Sequence, residues 1–392
     1  MIITKVKLVN WRNFKRAEAS LRETSYVLGV NASGKSNFLD VFRFLRDIAK
    51  PAGGGLQKAI GDRGGLKKLR CLHARTHPEV SIQVEVSNSV GDDFPRWKYE
   101  LVFSSEGKGA QRPIVKSEIV SRFAANGSLE FYFERPDELD QNDPERLTAT
   151  AIEQVQANKE FRELAEFFAN TTYLHVVPQL LKFGDLIGGR TIENDPFGQA
   201  FMDRLAKTPE KTRNSRLRRI EIALKTVVPQ LNDLSFSLDD TGRPHLEIRY
   251  EHHRPHGARQ LEDQFSDGTL RLIALFWLLL DGDSLLLLEE PELSLNEEIV
   301  NQIPYLINMV QRSNRKRKRQ ILITTHSRSM LDNAGIDQRG IVVLEPSDEG
   351  TVIRGVNEEE SIALEAGLTP AEVVLPSAQR IGGKAIQLEL GI

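Results

Sequence analysis

The stretch Gly29-Val30-Asn31-Ala32-Ser33-Gly34-Lys35-Ser36 limits what this chain can fold into more than any other. It is a complete G-x-x-x-x-G-K-[ST] pattern. The apolar run Tyr26-Val27-Leu28 precedes it, and Phe38, Val41, Phe42, Leu45 and Ile48 follow at helical spacing. A strand, a glycine-rich turn and a helix in that order make a phosphate cradle. Gly29 and Gly34 let the backbone curl so that successive N–H groups face one centre, and the helix start adds its positive end. Lys35 then reaches the β- and γ-phosphates, and Ser36 supplies a hydroxyl for Mg²⁺. Asn31, Ala32, Ser33, Gly34, Lys35, Ser36 and Asn37 are therefore candidate nucleotide-binding residues, with ATP and Mg²⁺ as the expected cofactors. A chance glycine turn would need neither the strand before it nor the helix after it.

Bulk properties exclude several classes. A net charge of −3 leaves no overall basic coat, so any DNA contact has to be a local patch. Cys71 is the only cysteine, which rules out an intrachain disulfide and suits a cytoplasmic protein. The opening Met1-Ile2-Ile3-Thr4-Lys5-Val6 reads as a strand and not as a signal peptide. Leu272 to Leu280 is apolar throughout, but nine residues closed by Asp281-Gly282-Asp283 cannot cross a bilayer, so no membrane partner is expected.

Along the chain, residues 1–28 read as two strands joined through residues 10–14. Period-two alternation then governs Val80, Ile82, Val84 and Val86, and again Trp97, Tyr99, Leu101 and Phe103. With further strands at 119–123 and 129–133, residues 78–134 read as an antiparallel meander inserted into the core. Residues 148–170 and 196–228 read as helical, 173–177 as a core strand, and 234–250 as a hairpin turning at Asp240-Thr241-Gly242.

The second half carries acids and a histidine on strand ends. Ser284 to Glu292 is an apolar strand ending in Glu289-Glu290-Pro291-Glu292, and strands apolar on both faces belong inside parallel sheets. Ligands gather at the carboxyl edge of such strands. Glu289 is a candidate for holding Mg²⁺ through a water, and Glu290 for polarising the attacking water. Ile321 to Ser327 is another core strand, ending at His326, placed to sense a γ-phosphate. Ser266-Asp267-Gly268-Thr269 opens the apolar helix 269–280. Ser266 is a good N-cap and Gly268 allows close approach, so Ser266 and Gly268 make a second candidate anion site, although capping alone also explains the serine.

Taken together, these segments resemble the ABC-type ATPases. Gly29 to Ser36 matches Walker A, and Leu285 to Glu290 matches Walker B with the catalytic glutamate; Ser266-Asp267-Gly268 matches the signature, and Thr325-His326-Ser327 the switch histidine. Within that superfamily the chain is similar to the non-transporter branch of RecF, the SMC-like repair ATPases and the OLD-like ATPases. Leu8-Val9-Asn10-Trp11-Arg12-Asn13-Phe14 is like that branch's opening strand-turn, whose arginine, here Arg12, is implied to touch nucleotide phosphates. The likeness covers residues 1–50 and about 260–345. It departs at Glu289, where many relatives have Asp, and at Asn296-Glu297, where OLD-like proteins have His-Pro. No motif marks the Mg²⁺-sensing glutamine of relatives; Gln179 is the candidate, because Gln83 lies mid-strand on a polar face.

The resemblance implies an α/β P-loop NTPase of ABC-ATPase type, with an inserted antiparallel β meander and a helical signature lobe. The expected division is 1–77 and 261–345 for the ATPase core, 78–147 for the β subdomain, 148–260 for the helical lobe and hairpin, and 346–392 for a C-terminal extension. It further implies Mg²⁺-dependent ATP hydrolysis and a homodimer or higher oligomer that sandwiches ATP. A separate nuclease or toxin effector in bacterial anti-phage defence would be its partner, because the tail after His326 is too short for the Toprim nuclease of OLD-like proteins. A RecF-like repair ATPase that binds DNA directly, through patches such as Arg312 to Arg319, and a transporter ATPase subunit are the rival readings. His252-His253-Arg254-Pro255-His256 reads as an exposed loop and not as a metal site.

Overall fold

The computed structural model describes residues 1–74, 78–107, 111–187, 197–250, 258–313 and 319–378. The histidine cluster at 252–256, most of the basic run at 312–319 and the last part of the C-terminal extension, 379–392, lie outside the described residues.

The chain opens with three strands, not two: β1 (Ile2–Trp11), β2 (Phe14–Ser20) and β3 (Thr24–Leu28). β3 leads through the phosphate loop into the helix Lys35–Ala49. The antiparallel strands β4 (Val80–Ser87), β5 (Trp97–Ser105), β6 (Pro113–Phe123) and β7 (Leu129–Arg135) follow, and then the short β8 (Thr172–Leu174). After two helices, Phe201–Lys207 and Glu210–Leu224, come β9 (Leu231–Leu238), β10 (Pro244–Tyr250) and β11 (Ala258–Leu261). The helix Asp267–Leu280, β12 (Leu286–Glu289), the helix Glu297–Ser313 and β13 (Ile321–Thr325) carry the second half of the motifs. β14 (Ile341–Ser347) and β15 (Gly350–Arg354) form a final hairpin before short C-terminal helices. Among the described residues, no helix is long and apolar enough to cross a membrane.

Three sheets result. β3 lies inside a six-stranded sheet of order β15-β14-β3-β13-β12-β8, in which all neighbours but β15 run parallel. The meander does not stand apart. β4 pairs with β1 from Ile2 opposite Ser87 to Val9 opposite Ser81, so β2-β1-β4-β5-β6-β7 is one antiparallel sheet. β9 to β11 make a third, small sheet.

The parallel sheet divides the interior into two cores. Val27, Leu287, Leu322 and Val342 join one core, with the helix Lys35–Ala49 and the antiparallel sheet. Their neighbours Tyr26, Leu28, Leu286, Leu288, Ile321, Ile323 and Val343 join the other, with the helices Glu210–Leu224, Asp267–Leu280 and Glu297–Ser313. Period-two alternation sends successive side chains to opposite faces, and both faces are covered, which explains why β12 and β13 are apolar until their carboxyl ends. Aromatic rings key the first core: Phe44 lies 5.0 Å from Trp11 and 5.5 Å from Phe103, between centroids.

The expected helix over 148–170 shrinks to Arg162–Ala169, with 3₁₀ turns at Pro144–Thr148 and Lys159–Phe161. Buried side chains take the backbone groups that a helix would use. Glu118 accepts the N–H groups of Ala151 (2.6 Å) and Ile152 (3.1 Å), and the Asn158 amide donates to the carbonyl of Ile152 (2.9 Å).

Candidate nucleotide site

The phosphate loop turns through Ala32 at φ 65° and Gly34 at φ 99°, in the left-handed region. A Cβ on Gly34 would stand 2.1 Å from Asn13 Nδ2, so only glycine fits there. Asn13 anchors this turn from outside. Its Nδ2 donates to the Ser33 carbonyl (2.9 Å) and to Thr351 Oγ1 (2.6 Å), and its Oδ1 accepts from Asn37 Nδ2 (2.8 Å). The Thr351 hydroxyl donates to the same Ser33 carbonyl (2.8 Å). Lys35 Nζ folds back onto the carbonyls of Gly29 (2.9 Å) and Val30 (3.2 Å). Burial lowers its pKa, against the pull of Glu290, Glu292 and Glu289.

The acids of β12 end beside this loop. Ser36 Oγ donates to one oxygen of Glu289, and the Tyr173 hydroxyl, from the neighbouring β8, donates to the other at 2.5 Å. Burial, and then Glu289, push the Tyr173 pKa up. Arg43 lies over the Tyr173 ring, 4.2 Å from its centroid. Glu290 departs from the strand at φ 44°, a conformation that non-glycine residues hold at a cost, and its carboxylate lies 3.1 Å from His326 Nδ1. Behind them Thr325 donates to Glu292 (2.5 Å) and accepts from the Ser327 N–H (3.0 Å). Burial raises the Glu292 pKa. Lys35, Ser36, Glu289, Glu290 and His326 are thus brought to one edge of the parallel sheet.

The other candidates are distributed around it. Arg12, at φ 52°, donates to Asp40 (3.0 Å) and shares with Ser36, Asn37, Arg43 and Arg63 an open cleft of about 570 Å³. Burial would raise the Asp40 pKa, but Arg63, Arg43 and Arg12 together hold it below the usual carboxylate value. Ser266 caps the helix Asp267–Leu280, its Oγ accepting from the Thr269 N–H (3.1 Å). That helix packs on the opposite face of the parallel sheet from the helix Lys35–Ala49. Gln179 donates to Asp267 (2.9 Å), beside Lys182 (2.7 Å), so the structure brings it to the signature helix and not to Ser36 and Glu289. Tyr173, Asn13 and Thr351 were missed. Tyr173 lay inside a recognised strand, but nothing local marks it as facing Glu289.

These residues fit a Mg²⁺–nucleotide. The loop is a cradle with a cation at its mouth, and the buried Ser33 Oγ has no partner among the described residues. Ser36 and Glu289 offer hard oxygen donors. Among the described residues, no group of three or more His, Cys, Asp or Glu converges on a point.

Residues 26–332 match the family described as "AAA domain, putative AbiEii toxin, Type IV TA system". Curated proteins give no match to the chain. Solved structures do. A crystal structure of an Smc head bound to the C-terminal winged-helix domain of ScpA superposes with a TM-score of 0.54 at 16% identity, covering 92% of this chain and 100% of that one. The SMC head of Thermotoga maritima gives 0.43 at 14% identity, over 91% and 100%. An Smc head with an extended coiled coil, bound to the C-terminal domain of ScpA from Pyrococcus furiosus, gives 0.44 at 13%, over 93% and 98%. Only the first superposition is close enough to define a fold, and it is the one that the parallel sheet, phosphate loop and β12 acids describe. With residues 26–332, more than half its length, matched, the chain belongs to the AbiEii-type AAA family, and its fold is that of the Smc head.

Proposed function

We propose that this chain is a Mg²⁺-dependent ATP switch that dimerises when ATP binds and controls a separate nuclease or toxin effector in bacterial anti-phage defence. The observation that carries it is the placing of Ser266. It caps a helix on the opposite sheet face from the phosphate-loop helix, exposed and with its own chain's nucleotide residues elsewhere, so its anion partner is a second chain's nucleotide. In this reading Glu290 takes the proton of the attacking water, His326 orients Glu290 and senses the γ-phosphate, and Lys35 leaves its carbonyls for phosphate. Ser36 and Glu289 would hold Mg²⁺, which neutralises phosphate charge when bound. Arg12 reaches the nucleotide from the cleft beside Ser36. Gln179 acts through Asp267 at the signature helix.

Complementation tests the shared site. Ser266→Arg and Lys35→Ala are each expected to abolish ATP hydrolysis alone. Mixed, they regain activity, since a heterodimer keeps one intact composite site. No recovery in heterodimers shown to form would mean a site built within one chain. The separate effector is tested by nucleic-acid cleavage. The purified chain with ATP and Mg²⁺ is expected to cut neither DNA nor RNA, because its placed carboxylates serve the nucleotide; cleavage that copurifies with the chain refutes this.

A further inference from the structure

We infer that Arg271 and Glu292 are positioning residues that form a switchable ion pair, coupling the signature helix to the Glu290–His326 pair of the same chain. The inference rests on the shared-site reading above. Arg271 stands in the first turns of the helix Asp267–Leu280 and is 5% exposed; its Nε and Nη1 have no hydrogen-bond partner among the described residues. Glu292, in the turn after β12, is 7% exposed, and its Oε2 is equally unpartnered. Two buried, opposite charges, each with unpartnered polar atoms, are costly apart and far cheaper together.

They belong to elements in contact. A Cβ on Gly268 would stand 2.9 Å from Leu295 Cδ2 and 3.7 Å from the Ser294 carbonyl, so the helix start rests directly on the Glu292 turn. Asp267 also acts on the arginine through its charge, but it gives its oxygens to Gln179 and Lys182. Glu292 already holds the other side of the linkage. Its Oε1 accepts from Thr325, whose hydroxyl also fixes Ser327, with His326 between them facing Glu290.

The Glu292 carboxylate already acts on the Arg271 guanidinium through its charge, and in the closed state the guanidinium sits on Oε2. The same helix starts at Ser266, which serves the partner chain's nucleotide. Closing on the partner's ATP therefore seats Arg271 on Glu292, and through Thr325 sets the catalytic pair over the chain's own ATP. The two nucleotide sites of a dimer then act together.

The test uses the full chain carrying Arg271→Met, Arg271→Lys, Glu292→Gln or the Arg271→Met/Glu292→Gln double substitution. Glu292→Gln keeps an acceptor for Thr325 and removes only the charge. Affinity for a fluorescent ATP analogue, kcat, KM and the Hill coefficient of hydrolysis are measured for each. Expected are analogue affinity within about twofold of wild type, kcat lower by about tenfold, and a Hill coefficient falling towards one. The double variant should be no worse than either single one, and Arg271→Lys should recover part of the loss. Unchanged kcat and Hill coefficient, or additive losses, in variants that bind the analogue normally would overturn the pair. A wild-type chain that neither binds nor hydrolyses ATP would instead overturn the functional reading beneath it.

Discussion

Glu118 lies with no exposed surface between the Tyr99 hydroxyl (3.0 Å) and the N–H groups of Ala151 and Ile152. Burial pushes its carboxyl pKa up to about 6, only partly offset by those donors and by Arg135. An unfolded glutamate titrates near 4.3, so between about pH 4.3 and 6 the folded chain keeps a proton that the unfolded chain loses. Stability from this group is therefore greatest below about pH 4.3 and falls by about 2 kcal/mol as pH rises through 6. Glu118→Gln removes that slope while giving up one backbone acceptor. Denaturant melts at pH 4.5 and pH 7 are expected to show the wild-type advantage over this variant shrinking at the higher pH. A constant or growing advantage would show that Glu118 is charged throughout. Such a residue was not legible in the sequence, where Glu118 is one acid in an alternating strand. That Lys35, Ser36, Glu290 and His326 would stand at one sheet edge was legible, because each follows the end of a strand readable from contiguous apolar spacing.

The hairpin β14–β15 acts as a stitch. Thr351 at its turn reaches the Ser33 carbonyl, 318 positions away in sequence, and Asn13 across 338 positions. Removing that hydroxyl frees the phosphate loop without emptying a core. Thr351→Val is expected to weaken binding of a fluorescent ATP analogue by about 5–10-fold, the worth of one or two hydrogen bonds, and Thr351→Ser to restore it. Equal affinities for Val and wild type would mean that the loop holds its shape unaided. No local pattern announces a contact of that span. The meander from β4 to β7 was legible because alternation is local, whereas its union with β1 depends on a pairing that alternation cannot name. The stretch 148–161 failed as a helix for a third reason. It lacks proline and glycine, yet Glu118, from β6, and Asn158, from within the stretch itself, capture its backbone.

At the scale of the molecule, the parallel sheet serves two cores at once, and its central strand β3 comes from the first thirty residues. β3 is flanked by β13 and β14, and Gln320 ties the neighbouring chain to Ile3 through both backbone groups, at 2.8 and 2.7 Å. This arrangement sets a timetable for synthesis. The strand that feeds the phosphate loop leaves the ribosome long before its partners β13 and β14, and waits, with both edges open, until residues 321–347 emerge. Over that interval of about three hundred residues the nascent chain holds a short apolar strand with nothing to pair it, an invitation to proteases, chaperones and like strands on neighbouring ribosomes. Limited proteolysis of stalled chains is expected to find Thr24–Leu28 accessible in every chain ending before residue 321 and shielded once residue 347 is clear of the exit tunnel. Shielding in the shorter chains would mean that the N-terminal half folds alone. A protein of this topology commits to its nucleotide site only after the strands on either side of β3 have been made.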